Sequence, residues 1–391
     1  MKHNFNEIIQ RDNTNSLKYD FAHQCGKPEG LLPLWVADMD FRTPSPVVDA
    51  LVEKSRHGIF GYSESADDYF LILKDWFITY FDWNINRDWL VKTPGIVYAI
   101  ATAIRGLTNK GDSVLIQQPV YYPFSKMILL NDRHQVVNQL VYENGKYTID
   151  FNDFEAKIIK NNVKLFVLCN PHNPVGRVWT KEELMRLGEI CLKHGVTVIS
   201  DEIHQDFIYK GHKHQVFADL KPGFSKITIT CTAPTKTFNL AGLQISNIFI
   251  KDSELRKKFR EEMTKSGYSQ LNVMGIVACM AAYSKGREWL EELKTYLGDN
   301  LDFVRSFLIE RLPLIKLIEP EGTYLVWLDF NALGLSEKEL EKLIITKAGL
   351  WLDEGTLFGA GGEGFQRINI ASPRPILEQA LSQLEQAING L

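Results

Sequence analysis

Short β-branched runs that recur between helical patterns constrain this chain more than any other feature. Ser113-Val114-Leu115-Ile116, Lys164-Leu165-Phe166-Val167-Leu168, Thr197-Val198-Ile199, Ile227-Thr228-Ile229-Thr230 and Ser246-Asn247-Ile248-Phe249-Ile250 read as buried strands. Helical patterns lie between several of them, such as Lys181 to His194 with Thr180 placed as its N-cap. This alternation predicts an α/β fold with a mostly parallel sheet sandwiched by helices. Ligands of such sheets belong at the carboxyl ends of the strands.

After about Ser284 the pattern changes to charged helices, Trp289 to Leu312 and Ser336 to Ala348, with short strands around Tyr324 to Leu328 and Gln366 to Ile370. The expected organisation is an N-terminal segment, 1–45, that packs with a smaller α+β domain, 285–391, beside a large domain, 46–284. Pro44 and Pro46 open the first helix of the large domain. Without repeats or a long Gly/Ser linker the domains should be closely joined, and the cleft between them is the default site. An apolar content of 45% with 24% charged residues matches globular domains, and no apolar stretch reaches the length of a membrane span. A formal charge of -4 argues against nucleic-acid binding and for a small-molecule partner. The polar start Met1-Lys2-His3-Asn4-Phe5-Asn6 lacks a secretion signal's apolar core, so a cytoplasmic location is expected. Cys25, Cys169, Cys191, Cys231 and Cys279 are scattered and odd in number, which predicts buried free thiols.

The chemistry begins with Lys236, thirty-five positions after Asp201, which closes the run Val196-Thr197-Val198-Ile199-Ser200. A lysine amine can hold pyridoxal phosphate as a Schiff base, while a carboxylate beside the pyridine nitrogen keeps the ring protonated and able to accept electrons from Cα. Against this stand a solvated lysine and an aspartate that only caps a turn. Tyr121, in Pro119-Val120-Tyr121-Tyr122-Pro123, follows a strand where a ring can lie against a planar heterocycle, or simply pack. Asn170-Pro171-His172-Asn173-Pro174-Val175-Gly176 follows another strand, and its prolines and glycine aim the Asn173 amide into the cleft. Thr93-Pro94-Gly95-Ile96-Val97-Tyr98-Ala99 reads as a tight turn opening a helix, so the Gly95, Ile96 and Val97 amides form a phosphate cradle.

The order Asn-Pro-x-Asn-Pro-x-Gly, Asp-x-x-His, Thr-Lys-Thr-Phe resembles fold-type I pyridoxal-phosphate enzymes of the aspartate aminotransferase superfamily. Trp35-Val36-Ala37-Asp38-Met39-Asp40-Phe41, Pro234 to Leu243 and Gly361-Gly362-Glu363-Gly364-Phe365 are similar to the MalY/PatB branch of carbon-sulfur β-lyases. The resemblance covers nearly the whole chain. It implies that Lys236 carries the cofactor, Asp201 faces the pyridine nitrogen and Asn173 binds the phenolic oxygen. It gives His204 either that same oxygen or the task of orienting Asp201. Thr235 adds its hydroxyl to the phosphate site, while Gln244 stands where many aminotransferases carry a basic phosphate ligand. Tyr62 matches a position that reaches the phosphate across a dimer interface, which implies a homodimer with shared sites. Arg367 matches the clamp for the substrate α-carboxylate, the alternative being an edge-strand arginine in solvent. Tyr122 is the candidate for substrate contact or for protonating the leaving group.

Two patterns are set aside. Gly359-Ala360-Gly361-Gly362-Glu363-Gly364 fits a dinucleotide glycine motif but precedes a strand instead of joining a strand to a helix. His212-Lys213-His214, near His204 and Asp206, reads as a solvated turn instead of a metal site, and no metal is expected. The expected activity is α,β-elimination from an L-amino acid with sulfur at Cβ, such as cystathionine or cysteine. The alternatives are an aminotransferase, and a cofactor-binding regulator that acts through a transcription-factor partner.

Overall fold

Residues 2–391 are described by a computed structural model. Fifteen strands follow in chain order: β1 (Leu32–Pro33), β2 (Leu90–Thr93), β3 (Ser113–Gln118), β4 (His134–Gln139), β5 (Val141–Glu143), β6 (Lys146–Thr148), β7 (Leu165–Cys169), β8 (Thr197–Asp201), β9 (Thr228–Thr232), β10 (Ser246–Phe249), β11 (Lys316–Ile318), β12 (Leu325–Asp329), β13 (Leu350–Trp351), β14 (Asp353–Glu354) and β15 (Phe365–Asn369). Seven of them form the central sheet in the order β2-β10-β9-β8-β7-β3-β4. The run β9-β8-β7-β3-β4 is parallel, and β10 is antiparallel to both β9 and β2.

Strand β7 explains why the central runs are apolar without alternation. Leu165, Val167 and Cys169 enter one apolar cluster with Ile96, Ile100 and Phe124, while Phe166 and Leu168 enter the opposite one with Phe154 and Leu184. Successive side chains point to opposite faces, and helices cover both, so every position is buried. Each fully buried Leu or Phe contributes about 1.5–3 kcal/mol. The covering helix Lys181–His194 starts at a reciprocal cap. The Thr180 hydroxyl accepts from Glu183 N at 3.2 Å, and Glu183 Oε2 accepts from Thr180 N at 2.8 Å.

A second, antiparallel sheet has the order β11-β12-β15-β14. The N-terminal segment is tied to this part of the chain through β1, which pairs in parallel with β13 as Leu32↔Leu350 and Pro33↔Trp351. Among the described residues no helix is long and apolar enough to cross a membrane.

Three expectations need correction. The helix expected over Ser336 to Ala348 is α-helical only over Glu337–Glu341; Lys342–Lys347 is wound as a π-helix, a change of hydrogen-bond register that leaves the side-chain pattern almost unaltered. Cys25 is exposed, unlike the other four cysteines. His214 is buried, with Nε2 2.9 Å from Glu202 Oε2, so the His212 to His214 stretch is not a fully solvated turn. Its partner directly follows β8, twelve residues earlier, beyond the reach of a local polarity reading.

Candidate functional site

Two neighbouring parallel strands deliver the central pair. Asp201 ends β8 and is in register with Cys231 of β9. The chain leaves β9 through Ala233 into the four-residue helix Pro234–Thr237, which carries Lys236. The Lys236 side chain keeps partial exposure, and its Nζ lies 3.5 Å from Ala37 O. Burial pushes the amine down to about 8; Asp38 opposes this and the Arg367 charge adds to it. A neutral, nucleophilic amine is therefore accessible near neutral pH. Asp201 is only 4% exposed, and burial raises its carboxyl to about 7. It accepts from Ile203 N at 3.2 Å and has no ion-pair partner among the described residues.

His204 is buried three residues further on, its ring edge-on to Tyr324 at 5.6 Å between centroids. Burial first, then the charges of Lys236 and Arg367, push its pKa down to about 3, so the ring is neutral. Its Nδ1 has no hydrogen-bond partner. The Tyr324 hydroxyl donates to Ala37 O at 2.8 Å, the carbonyl that Lys236 also approaches.

Arg367 lies on β15, paired on one side with β12 and on the other with β14, and is 3% exposed. The solvent-exposed edge position is thereby excluded. Its Nη1 donates to Asn173 Oδ1 at 3.0 Å and its Nη2 to Trp35 O at 2.7 Å. Nη2 also pairs with Asp353 Oδ2, across from it on β14, and the guanidinium lies 4.9 Å from the Phe358 ring centre. Its buried Nε is left without a partner. Since the Asn173 oxygen is taken by Arg367, the amide nitrogen is the end left to donate into the cleft. Trp35 is itself held by stacking on Trp351, with centroids 4.4 Å apart.

Tyr121 N donates to Asn173 O at 3.0 Å, which ties the two strand-end loops together. The Tyr121 ring packs edge-on to Phe124 at 5.7 Å and beside Tyr122 at 5.6 Å. Burial and the nearby Asp353 charge raise the Tyr122 hydroxyl, which keeps its proton. Ile96 and Val97 open the helix Ile96–Leu107, with Gly95 at its N-cap and no side chain capping it. A Cβ at Gly95 would meet nothing within 4 Å, so the space beside the N-cap is open. Thr93 anchors the turn, its hydroxyl 2.7 Å from that of Ser246. Thr235 adjoins Lys236 and is partly exposed. Tyr62 stands apart at 101% exposure and lines a cavity of about 690 Å³ with Pro94, Gln244 and Tyr268.

The structure thus links Arg367, Asn173, Tyr121 and Tyr122 through direct contacts and brings Lys236 and His204 to the Tyr324–Ala37 pair, with Asp201 three residues before His204, while Tyr62 stands apart from them. Sequence reasoning missed Asp353 and Tyr324. The one signal for Asp353 was an acidic residue closing the apolar run Leu350-Trp351-Leu352; Tyr324 gave none. Among the described residues no cluster of three or more His, Cys, Asp or Glu side chains is placed to hold a metal.

The donor set fits pyridoxal phosphate. A partly neutral amine suits an aldehyde, an uncompensated buried carboxylate suits a ring N–H, and uncapped helix amides suit a phosphate. The buried His204 Nδ1, without a hydrogen-bond partner, is a further polar group free to take one.

Comparison with known proteins leads to the same cofactor. PatB of Bacillus subtilis (strain 168), a cystathionine β-lyase, is 44% identical over 99% of this chain and 100% of its own. Cystalysin from Treponema denticola, whose crystal structure contains pyridoxal 5'-phosphate, superimposes with a TM-score of 0.96 at 37% identity, covering 100% of both chains. The pyridoxal-phosphate-bound C-S lyase of Staphylococcus hominis, complexed with L-cycloserine, gives a TM-score of 0.93 at 34% identity over 99% of each chain. The family profile described as aminotransferase class I and II matches residues 43–384. With that span matched and relatives alike from end to end, the chain belongs to the class I and II aminotransferase family, on its PatB-like branch.

Proposed function

We propose that the protein is a pyridoxal-phosphate-dependent carbon-sulfur β-lyase, which with one water converts an L-amino acid bearing sulfur at Cβ into a thiol, pyruvate and ammonia. The full-length likeness to PatB is the observation that carries the lyase assignment. In this reading Lys236 binds the cofactor aldehyde and Asp201 faces the ring nitrogen. Asn173 and His204 serve the phenolic oxygen, and Tyr121 lies along the ring. The amides of Gly95, Ile96 and Val97 with the Thr235 hydroxyl hold the phosphate. Gln244 brings no charge to that site, so these neutral donors carry more of the binding. Tyr62 completes the site of a second copy, which makes the working form a homodimer.

When bound, the cofactor supplies an electron sink for the bonding pair released at Cα. The protein's own groups supply the rest. Arg367, held by Asn173, Trp35 O and Asp353, binds the α-carboxylate and turns the Cα–H bond toward Lys236. Lys236 Nζ, able to shed its proton near pH 8, takes the proton from Cα. The Tyr122 hydroxyl, which keeps its proton, gives one to the departing sulfur.

The test is incubation of the purified protein with pyridoxal phosphate and L-cystathionine without a keto-acid acceptor. Sustained, equimolar release of pyruvate and thiol is expected, and Lys236→Ala should abolish it. Amino-group transfer that appears only on addition of 2-oxoglutarate, with no thiol, sinks the lyase assignment and makes the protein an aminotransferase.

A further inference from the structure

Lys236 sits on a helix of only four residues, closed by a backbone bond from Phe238 N to Pro234 O at 2.9 Å. So short a turn cannot hold its own shape, and its orientation is set from outside. Three consecutive residues anchor it. The Thr237 hydroxyl donates to Asp206 Oδ2 at 2.6 Å. Phe238 packs against Trp76, Tyr283 and Trp289. Asn239, at φ 57°, accepts from Met39 N and donates to Met39 O and Phe41 O, each at 3.0 Å. Of these anchors, only the Thr237 bond leads back to the loop that bears Asp201 and His204.

Asp206 is an unusual group for a merely structural contact. Its side chain is buried, and its two oxygens take neutral donors, Trp76 Nε1 at 3.2 Å and Thr237 Oγ1 at 2.6 Å. No cation lies within ion-pair distance of it among the described residues. Lys294 and His214, the charges that favour its ionised form, act less strongly than burial does. An amide or an apolar side chain can fill such a space without the desolvation penalty of a carboxylate. A charged acceptor offers instead a shorter and more directional bond to the hydroxyl.

We infer that Asp206 is a positioning residue that, through the Thr237 hydroxyl, fixes the spacing between the Lys236 amine and the Asp201–His204 loop. The inference rests on the cofactor reading above, in which the amine binds one part of the cofactor ring system and Asp201 faces another. Trp76 braces the same turn from the far side, since it donates to Asp206 and meets Phe238 edge-on at 5.6 Å.

The test uses Thr237→Val, which removes the hydroxyl, and Thr237→Ser, which keeps it. Wild-type protein loaded with pyridoxal phosphate and reduced with borohydride should carry the added mass on the Lys236 peptide; mass elsewhere, or none, overturns the cofactor reading and this inference with it. With Lys236 so labelled, the variants decide the inference alone. In unloaded protein, the pH dependence of Lys236 acylation, read by peptide mass, should shift upward by about 0.5 pH unit or more in Thr237→Val as the turn loosens, and stay at the wild-type midpoint in Thr237→Ser. In loaded enzyme, kcat should fall about tenfold or more in Thr237→Val with KM changed less than about threefold, and recover in Thr237→Ser. If the valine variant does not fold, Thr237→Ala is read the same way. A wild-type amine midpoint with wild-type kcat in the hydroxyl-free variant overturns the inference. So does a loss that follows only the folded fraction and is not recovered by serine.

Discussion

At the residue scale, burial acts on Asp201 and Lys236 in opposite senses. Asp201 is raised to about 7 from an ordinary value of about 3.9, so between these limits the folded chain holds a proton that the unfolded chain has lost. Stability therefore falls as pH rises from about 4 to about 7, and the deficit, on the order of 4 kcal/mol, is complete above that. Lys236, lowered to about 8, destabilises the fold below that pH and ceases to do so as pH rises toward its ordinary value of about 10.4. Asp201→Asn should thus make the unloaded protein more stable above pH 7, by up to about 4 kcal/mol, with the gain vanishing near pH 4. Urea unfolding over this pH range measures it. No gain at pH 8 means that another group already compensates the carboxylate. The same substitution should remove lyase activity, so a group that weakens the fold is one that the proposed chemistry requires.

At the scale of elements, the Asn170 to Gly176 loop is held by the helix that follows it and by the strand approach to β12. Buried Arg177 joins Glu183 Oε2 and Glu321 Oε2, each at 2.9 Å, and stacks on Trp179 at 4.7 Å. Glu183 also closes the cap of the helix Lys181–His194. Thr180→Ala should cost about 1 kcal/mol, the usual value of an N-cap. Glu183→Ala should cost more, about 2–4 kcal/mol, because it removes a cap and one of the two carboxylates that pair with a buried cation. Denaturant unfolding of the two variants ranks them, and equal losses would assign Arg177 wholly to Glu321. The strands and this helix were legible in the sequence because burial on both faces and a Thr-x-x-Glu start leave local marks. Asp201 was legible because it closes a strand and Asn173 because prolines and a glycine mark its turn, while Lys236 and Arg367 were legible through the motifs around them. Asp353, Tyr324 and the Glu202–His214 pair were not: Asp353 meets Arg367 only through the antiparallel register of β14 and β15, and the other two find their partners in loops that local sequence does not connect. The π-wound turn at Lys342–Lys347 was hidden for a different reason: hydrogen-bond register leaves no trace in residue type.

At the scale of the molecule, Tyr62 has no neighbour in its own chain that would bury it, and Ile59 and Phe60 beside it are also exposed. If two copies share sites through Tyr62, inactive Lys236→Ala and Tyr62→Ala proteins complement one another. Half of the randomly mixed dimers then hold one intact site of two, so about a quarter of wild-type activity should return after mixing and refolding. Activity that stays at the sum of the two parents argues that each chain works alone. The architecture also bears on the order in which the chain is made. Asn369 donates to Val36 O and Asp38 O, each at 2.8 Å, across separations of 333 and 331 residues, and Arg367 reaches back to Trp35 O. The segment Trp35 to Asp38 is therefore fastened by β15, the last of the fifteen strands, so Lys236 is made long before the strand that locks this segment in place. The amine acquires its lowered pKa only in the folded chain, so its special reactivity must wait until segments more than three hundred residues apart have met.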